Sequence, residues 1–392
     1  MCFKKTLFLL VILFSIFGFS QPELSSSSTI SVLTVGTADE LYSKFGHSAI
    51  RVQDPVLGID VVYNYGYFDF NTSNFYVKFT RGKLLYSLVR ERFSGFLYGY
   101  ELENRWVREQ QLNLSTTQKN QLLKFLENNY LPENRFYKYD FLFDNCSTRI
   151  PDALVSVLKE DLVFDYAHLD NAFTFRQLIH QNLEVNSWSN FGIDLALGSV
   201  IDRKATPYEH LFLPIYVYDQ LQNTSLNGAK FVSKDTLLLD IKPAAAASNF
   251  LLSPIFWLSL MGIIILLITY KDYKSQTRSA WLDFLLFFAT GLAGLLIVFL
   301  WLGTDHKATA NNYNFLWTFP LNAFVAFVLL KKTAIPKWLS TYITALLVFL
   351  VFSLLIWVLK IQIFSPLILL IITPLGVRYL FLIYSQRSDR LH

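Results

Sequence analysis

A cysteine in a polar stretch is the residue of this chain best suited to covalent chemistry. Cys146 lies in the sequence DNCSTR (144–149), and an amphipathic helix is predicted from about Ser147 to Leu158. The positive end of a helix dipole lowers the pKa of a thiol, so that more of it is present as the nucleophilic thiolate. An isolated cysteine can also be a buried structural residue, but polar neighbours favour a reactive one.

A thiol nucleophile needs a base, and a histidine at the start of a predicted strand is the candidate. His47 follows Gly46 and precedes the strand sequence SAIRV (48–52), which puts its imidazole at the edge of a sheet. The pKa of histidine is close to neutrality, so it can accept a thiol proton. The other histidines of this region are His168, His180 and His210. Spacing alone does not show that His47 meets Cys146.

The segment that contains these two residues combines strand and helix patterns. Stretches rich in β-branched and aromatic residues, separated by turn residues, predict strands at Ile30–Val35, Gly46–Val52, Asp60–Phe68, Lys83–Val89 and Trp106–Leu114. A capping-box sequence at 115–118 precedes an amphipathic helix that extends to about Tyr130. The pattern indicates an α+β domain in which helices flank a mostly antiparallel sheet.

Composition divides the chain into an exported domain and a membrane domain. Of the 392 residues, 53% are hydrophobic and only 16% are charged, which is typical of a membrane protein. Residues 1–20 have the shape of a secretory signal peptide, with an uncleaved anchor as the alternative, and cleavage removes Cys2. Residues 29–249 have the composition of a globular domain, residues 250–385 hold the membrane spans, and residues 386–392 form a tail.

Apolar segments of spanning length predict an all-α membrane domain of about five transmembrane helices. The segments are Leu251–Tyr270, Ala280–Leu302, Phe315–Leu330, Thr341–Leu359 and Ile363–Tyr384. Eight basic residues lie in the first loop, the third loop and the tail, against two, Lys307 and Lys360, in the alternate loops. Basic residues accumulate in cytoplasmic loops. We therefore expect a multi-pass protein of the inner (cytoplasmic) membrane, with a cytoplasmic C-terminus and residues 29–249 in the periplasm or outside the cell.

Charge and cysteine content exclude several classes of protein. The net charge of +4, from 34 basic and 30 acidic residues, is too balanced for a surface that binds nucleic acid. Two cysteines cannot form a disulfide scaffold or a cysteine-rich zinc site. The sequence has no His-Glu-x-x-His motif and no glycine-rich phosphate loop, so we expect neither a metal nor a cofactor.

Three motifs give the domain a resemblance to a known family. They are GHSAI (46–50) in a strand, YNYG (63–66) in the next strand and DNCSTR (144–149) at a helix start. The region from about Ile30 to Pro214, including 194–198 and Asp202, resembles the Lnb N-terminal periplasmic domain family, and the resemblance extends into the membrane region. That family is similar in turn to circularly permuted NlpC/P60 papain-like enzymes and to the lecithin retinol acyltransferase group, in which the histidine precedes the cysteine.

The resemblance implies a lipoprotein N-acyltransferase with a permuted papain-like catalytic domain. Such an enzyme moves a fatty acyl chain from a membrane phospholipid, through a thioester on Cys146, to the α-amino group of a lipid-modified N-terminal cysteine of a lipoprotein. His47 would accept the thiol proton and handle the amine proton in the second step. Papain-like sites orient the imidazole with a third polar side chain. Asn64 on the next strand is the candidate for that role, with Asp60 and Tyr63 behind it.

The sequence gives less information about the groups that would bind the substrates. The backbone N–H of Cys146, helped by Asn145, is the candidate oxyanion site, although Asn145, like Asn64, can equally be a turn or capping residue. Arg149 and Arg51 are candidates for binding a lipid phosphate, with surface salt bridges as the alternative.

A polar loop between the second and third predicted spans faces the same side of the membrane as Cys146. It contains His306, Asn312 and Asn314 and is denser in hydrogen-bonding groups than a connector needs. One interpretation is that it binds a lipid head group or completes the catalytic site. The other is a plain connector with a snorkelling lysine.

Two further functions fit the same residues. A membrane-tethered cysteine hydrolase, either a cell-wall amidase or peptidase or a lipid hydrolase, would use Cys146 and His47 with a different substrate or with water as the acceptor. A non-catalytic envelope sensor or assembly factor would have an unreactive Cys146. Five spans favour an enzyme with two lipid substrates, because a wall hydrolase needs only an anchor.

Overall fold

A computed structural model describes residues 23–40, 43–169, 171–242, 249–331 and 336–388. The predicted signal peptide and residues 389–392 of the predicted tail lie outside the described residues. The described chain forms an α+β domain followed by a helical membrane domain, as the sequence predicts.

An antiparallel sheet forms the centre of the first domain. The strands are β1 (Thr29–Val35), β2 (His47–Asp54), β3 (Ile59–Tyr67), β4 (Leu85–Arg92), β5 (Val107–Leu112), β6 (Phe136–Lys138), β7 (Leu162–Phe164), β8 (Thr224–Leu226), β9 (Ala229–Lys230) and β10 (Val232–Leu239). The main sheet has seven strands in the order β10-β5-β1-β2-β3-β4-β6, and β7, β8 and β9 form a small second sheet. The five strands predicted from the sequence are confirmed. No local pattern predicted β10, whose hydrogen bonds go to the sequence-distant β5.

Helices cover the sheet and connect its strands. They are α1 (Phe75–Thr80), α2 (Phe93–Leu102), α3 (Thr116–Tyr130), α4 (Arg149–Leu158), α5 (Phe175–His180), α6 (Trp188–Ala196) and α7 (Pro214–Gln222). The predicted capping box is confirmed at the start of α3, where Ser115 and Gln118 cap each other's backbone N–H groups. Helix α4 buries Ile150 and Leu154 in the same core as the sheet residues Ile50 and Tyr65. This packing brings the segment before α4 close to β2 and β3.

The membrane domain is helical throughout most of its length. Its helices are α8 (Pro254–Ser275), α9 (Ala280–Leu302), α10 (Asn322–Leu329), α11 (Lys337–Val358) and α12 (Leu369–Ser388). Within the described residues, four helical segments are long and apolar enough to cross a membrane: Pro254–Ser275, Ala280–Leu302, Lys337–Val358 and Pro366–Gln386. The predicted third span is the exception.

That third span, predicted at Phe315–Leu330, is not a single helix. A 3₁₀ turn at Tyr313–Leu316 is followed by Pro320 and then by α10, whose eight residues make it about 12 Å long. Proline interrupts helical hydrogen bonding, and irregular backbone at membrane depth must be buried within protein. The side chains of Thr318 and Asn322 are accordingly inaccessible to solvent.

The same segment nevertheless runs the length of α9. The backbone of Thr318 and of Ala323 touches α9 at Gly294 and Gly291, and the carbonyl of Leu329 accepts a hydrogen bond from Arg278, just before α9 begins. Within the described residues, an irregular segment with a short helix therefore lies along α9, beside the four helices of spanning length.

A buried ion cluster joins three membrane helices at this end of α9. Arg378 in α12 is fully buried and pairs with Asp272 at 2.8 Å and with Asp283 at 2.7 Å, and Arg278 also pairs with Asp283. Charged groups are tolerated in such a place when they are paired. The two arginines balance the two carboxylates, so the cluster links α8, α9 and α12 without net charge.

The close approach of α10 to α9 predicts that Gly291→Ala destabilises the membrane domain. A Cβ atom at Gly291 would lie 1.9 Å from the backbone nitrogen of Ala323, which forces the two segments apart. We expect a loss of about 1–3 kcal/mol, as for other overpacked sites. Gly376→Ala is the control, because its Cβ would meet only the Leu350 side chain at 3.7 Å. Thermal unfolding in detergent, followed by circular dichroism, measures both variants, and equal melting temperatures would contradict the packing argument.

Candidate active site

Cys146 and His47 lie side by side in the interior of the first domain. His47 is the first residue of β2, and Cys146 lies in the turn that leads into α4. The imidazole and the thiol are close enough to shift each other's pKa, and the Cys146 sulfur also lies 3.9 Å from the hydroxyl oxygen of Ser147. The Cys146 side chain is buried in the core that α4 shares with the sheet. The structure therefore brings together the two residues that the sequence singled out.

The two groups change each other's protonation. Burial raises the pKa of the Cys146 thiol, but the charge and hydrogen bond of His47 lower it more, to about 7. Burial lowers the pKa of His47, but the thiolate charge and hydrogen bonds from Cys146 and Asn64 reverse this, so that the pKa rises above its usual value. Both shifts favour the thiolate and the imidazolium, the charged forms that a cysteine needs to act as a nucleophile with a histidine as its base.

Asn64 occupies the position of a third residue behind the imidazole. Its Oδ1 lies 2.6 Å from His47 Nε2, and its Nδ2 donates to Glu91 Oε1 at 3.0 Å. The first contact leaves His47 Nδ1 as the ring nitrogen available to the thiol. The two alternatives for this role have other partners, since Asp60 pairs with Arg51 and Tyr63 hydrogen-bonds to Glu127.

The local sequence explains how β2 presents His47. Gly46 has a φ of +81°, and a Cβ atom there would lie 2.8 Å from the carbonyl oxygen of Val35 on the neighbouring strand. Glycine adopts this conformation without strain. The hydroxyl oxygens of Ser48 and Ser147 lie 3.3 Å apart and are both buried. They connect β2 to the cysteine turn.

Asn145 holds the cysteine turn in shape. Its Oδ1 accepts hydrogen bonds from the backbone N–H groups of Ser147 and Thr148, and its Nδ2 donates to the carbonyls of Phe141 and Phe212. The side chain is only 3% exposed. No donor of this amide is free for an oxyanion, so the structure supports the capping alternative for Asn145 instead of the oxyanion role.

Two other donors near the sulfur have no partner among the residues that the structure describes. One is the backbone N–H of Cys146, and the other is the buried hydroxyl of Tyr137. A Cβ atom placed on Gly66 would lie 4.0 Å from that hydroxyl and 3.6 Å from Cys146 Cβ, so both side chains lie beside Gly66. Burial raises the pKa of Tyr137, which keeps the hydroxyl protonated and able to donate.

The two candidate arginines are in ion pairs. Arg51 is 8% exposed, binds Asp60 and Glu109, and lies 3.4 Å from the centre of the Phe93 ring. Its charge is satisfied within the domain, so it is not free to bind a phosphate. Arg149 makes two hydrogen bonds to Asp144, at 2.6 and 2.8 Å, but is only partly buried.

A cleft lies beside the site, where the domain meets the membrane loop. Its volume is about 640 Å³, and Arg149 and Tyr139 line it together with Asp305 and Lys307 of the loop after α9. Cys146 does not line the cleft itself. Gly66 lies next to both Cys146 and the cleft residue Tyr139, because a Cβ atom placed on it would be 3.6 Å from Cys146 Cβ and 3.9 Å from the Tyr139 ring. The cleft is polar and lies on the membrane side of Cys146.

The loop after α9 holds the first domain against the membrane domain. His306 Nε2 lies 3.2 Å from the carbonyl oxygen of Phe79, Asn312 donates to the carbonyls of Leu195 and Ala196, and Asn314 donates to that of Asp194. Asn312 and Asn314 are at most 1% exposed, which leaves neither free to bind a lipid head group. The loop is thus more than a connector, but the role of its asparagines is to satisfy backbone carbonyls of the first domain.

Sequence reasoning missed two residues of the candidate site, Glu91 and Tyr137. Glu91 lies on β4, two residues beyond Val89, which pairs with Asn64 in the β3–β4 register. Alternation along the strand puts positions 89 and 91 on one face, so a known register would have revealed Glu91. Tyr137 lies on the short strand β6, which no sequence pattern predicted.

The contact between Cys146 and His47 predicts how the thiol reacts with iodoacetamide. Only the thiolate is alkylated, so we expect a rate that rises with pH around a midpoint near 7. In His47→Ala the midpoint should rise above the usual value of about 8.5, because burial then acts without compensation. Mass spectrometry of the Cys146 peptide over a pH series measures both. Identical midpoints would mean that His47 does not activate the thiol.

Comparisons with known proteins cover both domains. A family model described as the Lnb N-terminal periplasmic domain matches residues 21–181, which include His47 and Cys146, and one described as the Lnb transmembrane domain matches residues 245–389. No curated protein and no solved structure in the comparisons matches the chain. The two models cover all the membrane helices and the strands and turn that carry the candidate site. The chain therefore belongs to the Lnb family, as a membrane protein with a periplasmic N-terminal domain.

Proposed function

We propose that this protein is a lipoprotein N-acyltransferase that works through a thioester on Cys146. The observation that carries the proposal is the buried contact of Cys146 with His47, which Asn64 orients. The site belongs to a domain docked against the end of a membrane span, where an acyl chain and a lipid-modified substrate are both within reach. Phospholipid is the proposed donor, and a lipoprotein with a lipid-modified N-terminal cysteine is the proposed acceptor.

In the first half-reaction the Cys146 sulfur attacks the carbonyl carbon of a phospholipid ester, after His47 has taken the thiol proton. A carbon–sulfur bond forms, the ester carbon–oxygen bond breaks, and His47 returns the proton to the departing lysophospholipid alcohol. The Cys146 N–H and the Tyr137 hydroxyl are available to stabilise the negative oxygen of the tetrahedral intermediate.

In the second half-reaction the α-amino nitrogen of the acceptor attacks the thioester carbon. His47 accepts the proton of that nitrogen, an amide bond forms and the Cys146 thiolate leaves. Water competes with the amine at this step. The buried position of the sulfur favours the amine, because a site closed by its bound substrates excludes water from the thioester.

The proposed location follows from the two domains. The N-terminal domain is periplasmic and the helical domain is a membrane domain, so we propose that the protein lies in the inner membrane. The cleft next to Cys146 would then face the periplasm, and the chain would end in the cytoplasm, as the distribution of basic residues indicates.

The proposal predicts that lipoprotein N-acylation depends on Cys146 and His47. In cells without another N-acyltransferase, mass spectrometry of lipoprotein N-terminal peptides should find the N-acylated form with the wild-type protein. Cys146→Ala and His47→Ala should leave only the diacylated form, because no thioester can form. His168→Ala is the matched control, since its ring contacts the backbone of Asp165 and not the thiol. The proposal is wrong if cells with and without the wild-type protein show the same acylation.

A second measurement separates a transferase from the alternatives. Purified protein incubated with phospholipid should gain the mass of one acyl chain on Cys146. Adding a diacylated lipopeptide should discharge that adduct and yield the N-acyl product. Free fatty acid without N-acyl product would indicate a hydrolase, and absence of any adduct would indicate a non-catalytic protein.

The unpartnered hydroxyl of Tyr137 predicts that Tyr137→Phe slows acyl transfer. Loss of one oxyanion donor costs about 10²–10³ in turnover in other acyl-transfer enzymes. We expect a reduced rate of thioester formation and an unchanged rate of Cys146 alkylation by iodoacetamide. Tyr63→Phe is the control, because that buried hydroxyl binds Glu127 instead. Equal rates of thioester formation in the two variants would exclude Tyr137 as the donor.

A further inference from the structure

An exposed aromatic surface borders the site on the membrane side. It is formed by the segment between the end of β3 and the start of β4, which we call the aromatic loop (residues 67–85). Its exposed apolar side chains are Tyr67, Phe70, Tyr76, Val77, Phe79 and Leu85, each at least 51% accessible. Scattered apolar residues are common at surfaces, but six large ones in one short segment point to a partner.

The aromatic loop is fixed to the outer end of a membrane span. The carbonyl of Arg81 accepts a hydrogen bond from the backbone N–H of Asp305 at 2.9 Å, and His306 Nε2 lies within 3.2 Å of the carbonyl oxygens of Phe79 and Thr80. Asp305 follows the end of α9, at Leu302, by three residues. The aromatic side chains are therefore held near the depth at which that span leaves the bilayer.

The charges of the aromatic loop suit a lipid surface. Lys78, Arg81 and Lys83 lie among the exposed aromatic residues, and Arg81 and Lys83 are themselves exposed. Basic residues next to aromatic side chains are typical of protein segments that rest in the head-group region, where the cations attract anionic lipids and the rings enter the interface. This composition favours a membrane over a protein partner.

A row of aromatic rings leads from the aromatic loop toward Cys146. Phe75 and Phe68 are 5.9 Å apart between ring centres, Phe68 and Tyr86 are 5.2 Å apart, and Tyr86 stacks on Tyr139 at 4.3 Å. Tyr139 borders Gly66, which touches Cys146. These rings pack against one another, and Phe75 and Tyr86 are buried, so one continuous aromatic cluster joins the exposed side chains to the neighbourhood of Cys146.

We propose that the aromatic loop enters the outer leaflet of the bilayer and is the place where a phospholipid leaves the membrane to reach Cys146. The membrane contact rests on the exposed rings and their attachment to α9. The role in substrate delivery also rests on the proposed function. The occupant is a lipid leaflet with anionic head groups, and the cluster of rings joins the part of the protein that contacts this leaflet to the site.

Depth-dependent fluorescence quenching tests the membrane contact. Phe70→Cys is labelled with an environment-sensitive fluorophore in full-length protein that also carries Cys2→Ser and Cys146→Ala. Lipid nanodiscs contain phosphatidylglycerol and a lipid with a spin label on its acyl chain. Val56→Cys is the matched control, because Val56 and Phe70 are both 69% exposed. Val56 lies at the opposite end of β3, a nine-residue strand about 30 Å long.

We expect strong quenching at position 70 and none at position 56. Equal quenching at the two positions, or no quenching at either, would overturn the proposal. This measurement needs no catalytic activity, so it decides the membrane contact even if the proposed function is wrong.

A second experiment tests the delivery of substrate. The double variant Phe70→Asp, Tyr76→Asp should form the N-acyl product from vesicle phospholipid at least about tenfold more slowly, because charged side chains resist entry into the leaflet. Cys146 alkylation should be unchanged, and Val56→Asp should behave as the wild type. An unchanged acylation rate in the double variant would overturn the delivery role. Absence of N-acyl product with the wild-type protein, together with quenching at position 70, would refute the proposed function and leave the membrane contact standing.

Discussion

The contact between Cys146 and His47 is the interaction on which the candidate site depends. The two residues come from distant parts of the chain, and the packing of α4 on the sheet brings them together. Their pKa values move in opposite directions because each stabilises the charged form of the other in a buried place where neither would be charged alone. Asn145 and the pair of Ser48 and Ser147 keep the cysteine turn at the distance that this contact requires.

The docking of the domain on the membrane helices is the second constraint. It depends on hydrogen bonds between the loop after α9 and backbone carbonyls of the first domain. Such carbonyls would be costly to bury without donors, and the amides of Asn312 and Asn314 supply them. The result is a fixed spatial relation between the buried thiol of Cys146 and the end of a membrane span. The proposed N-acyltransferase, which would take one substrate from the bilayer and modify another that is anchored in it, needs this relation.

The sequence predicted part of the candidate site. The polar helix start, the glycine before the histidine and the next strand led to Cys146, His47 and Asn64. Glu91 and Tyr137 were missed because strand register and the short strand β6 determine their positions. Asn145 and Arg51 looked like binding groups because residue type shows what a side chain can bind, whereas its partners in the fold show what it does bind.

The sequence by itself determined the division into an exported domain and membrane passes, the strands that carry the histidine, and the family. These follow from composition, periodicity and local motifs, which are properties of neighbouring residues. Only the tertiary structure decided that the thiol meets the imidazole, that the predicted third span is irregular, and that the loop after α9 serves docking. Contacts between residues far apart in the chain depend on how elements pack, and no local pattern records that packing.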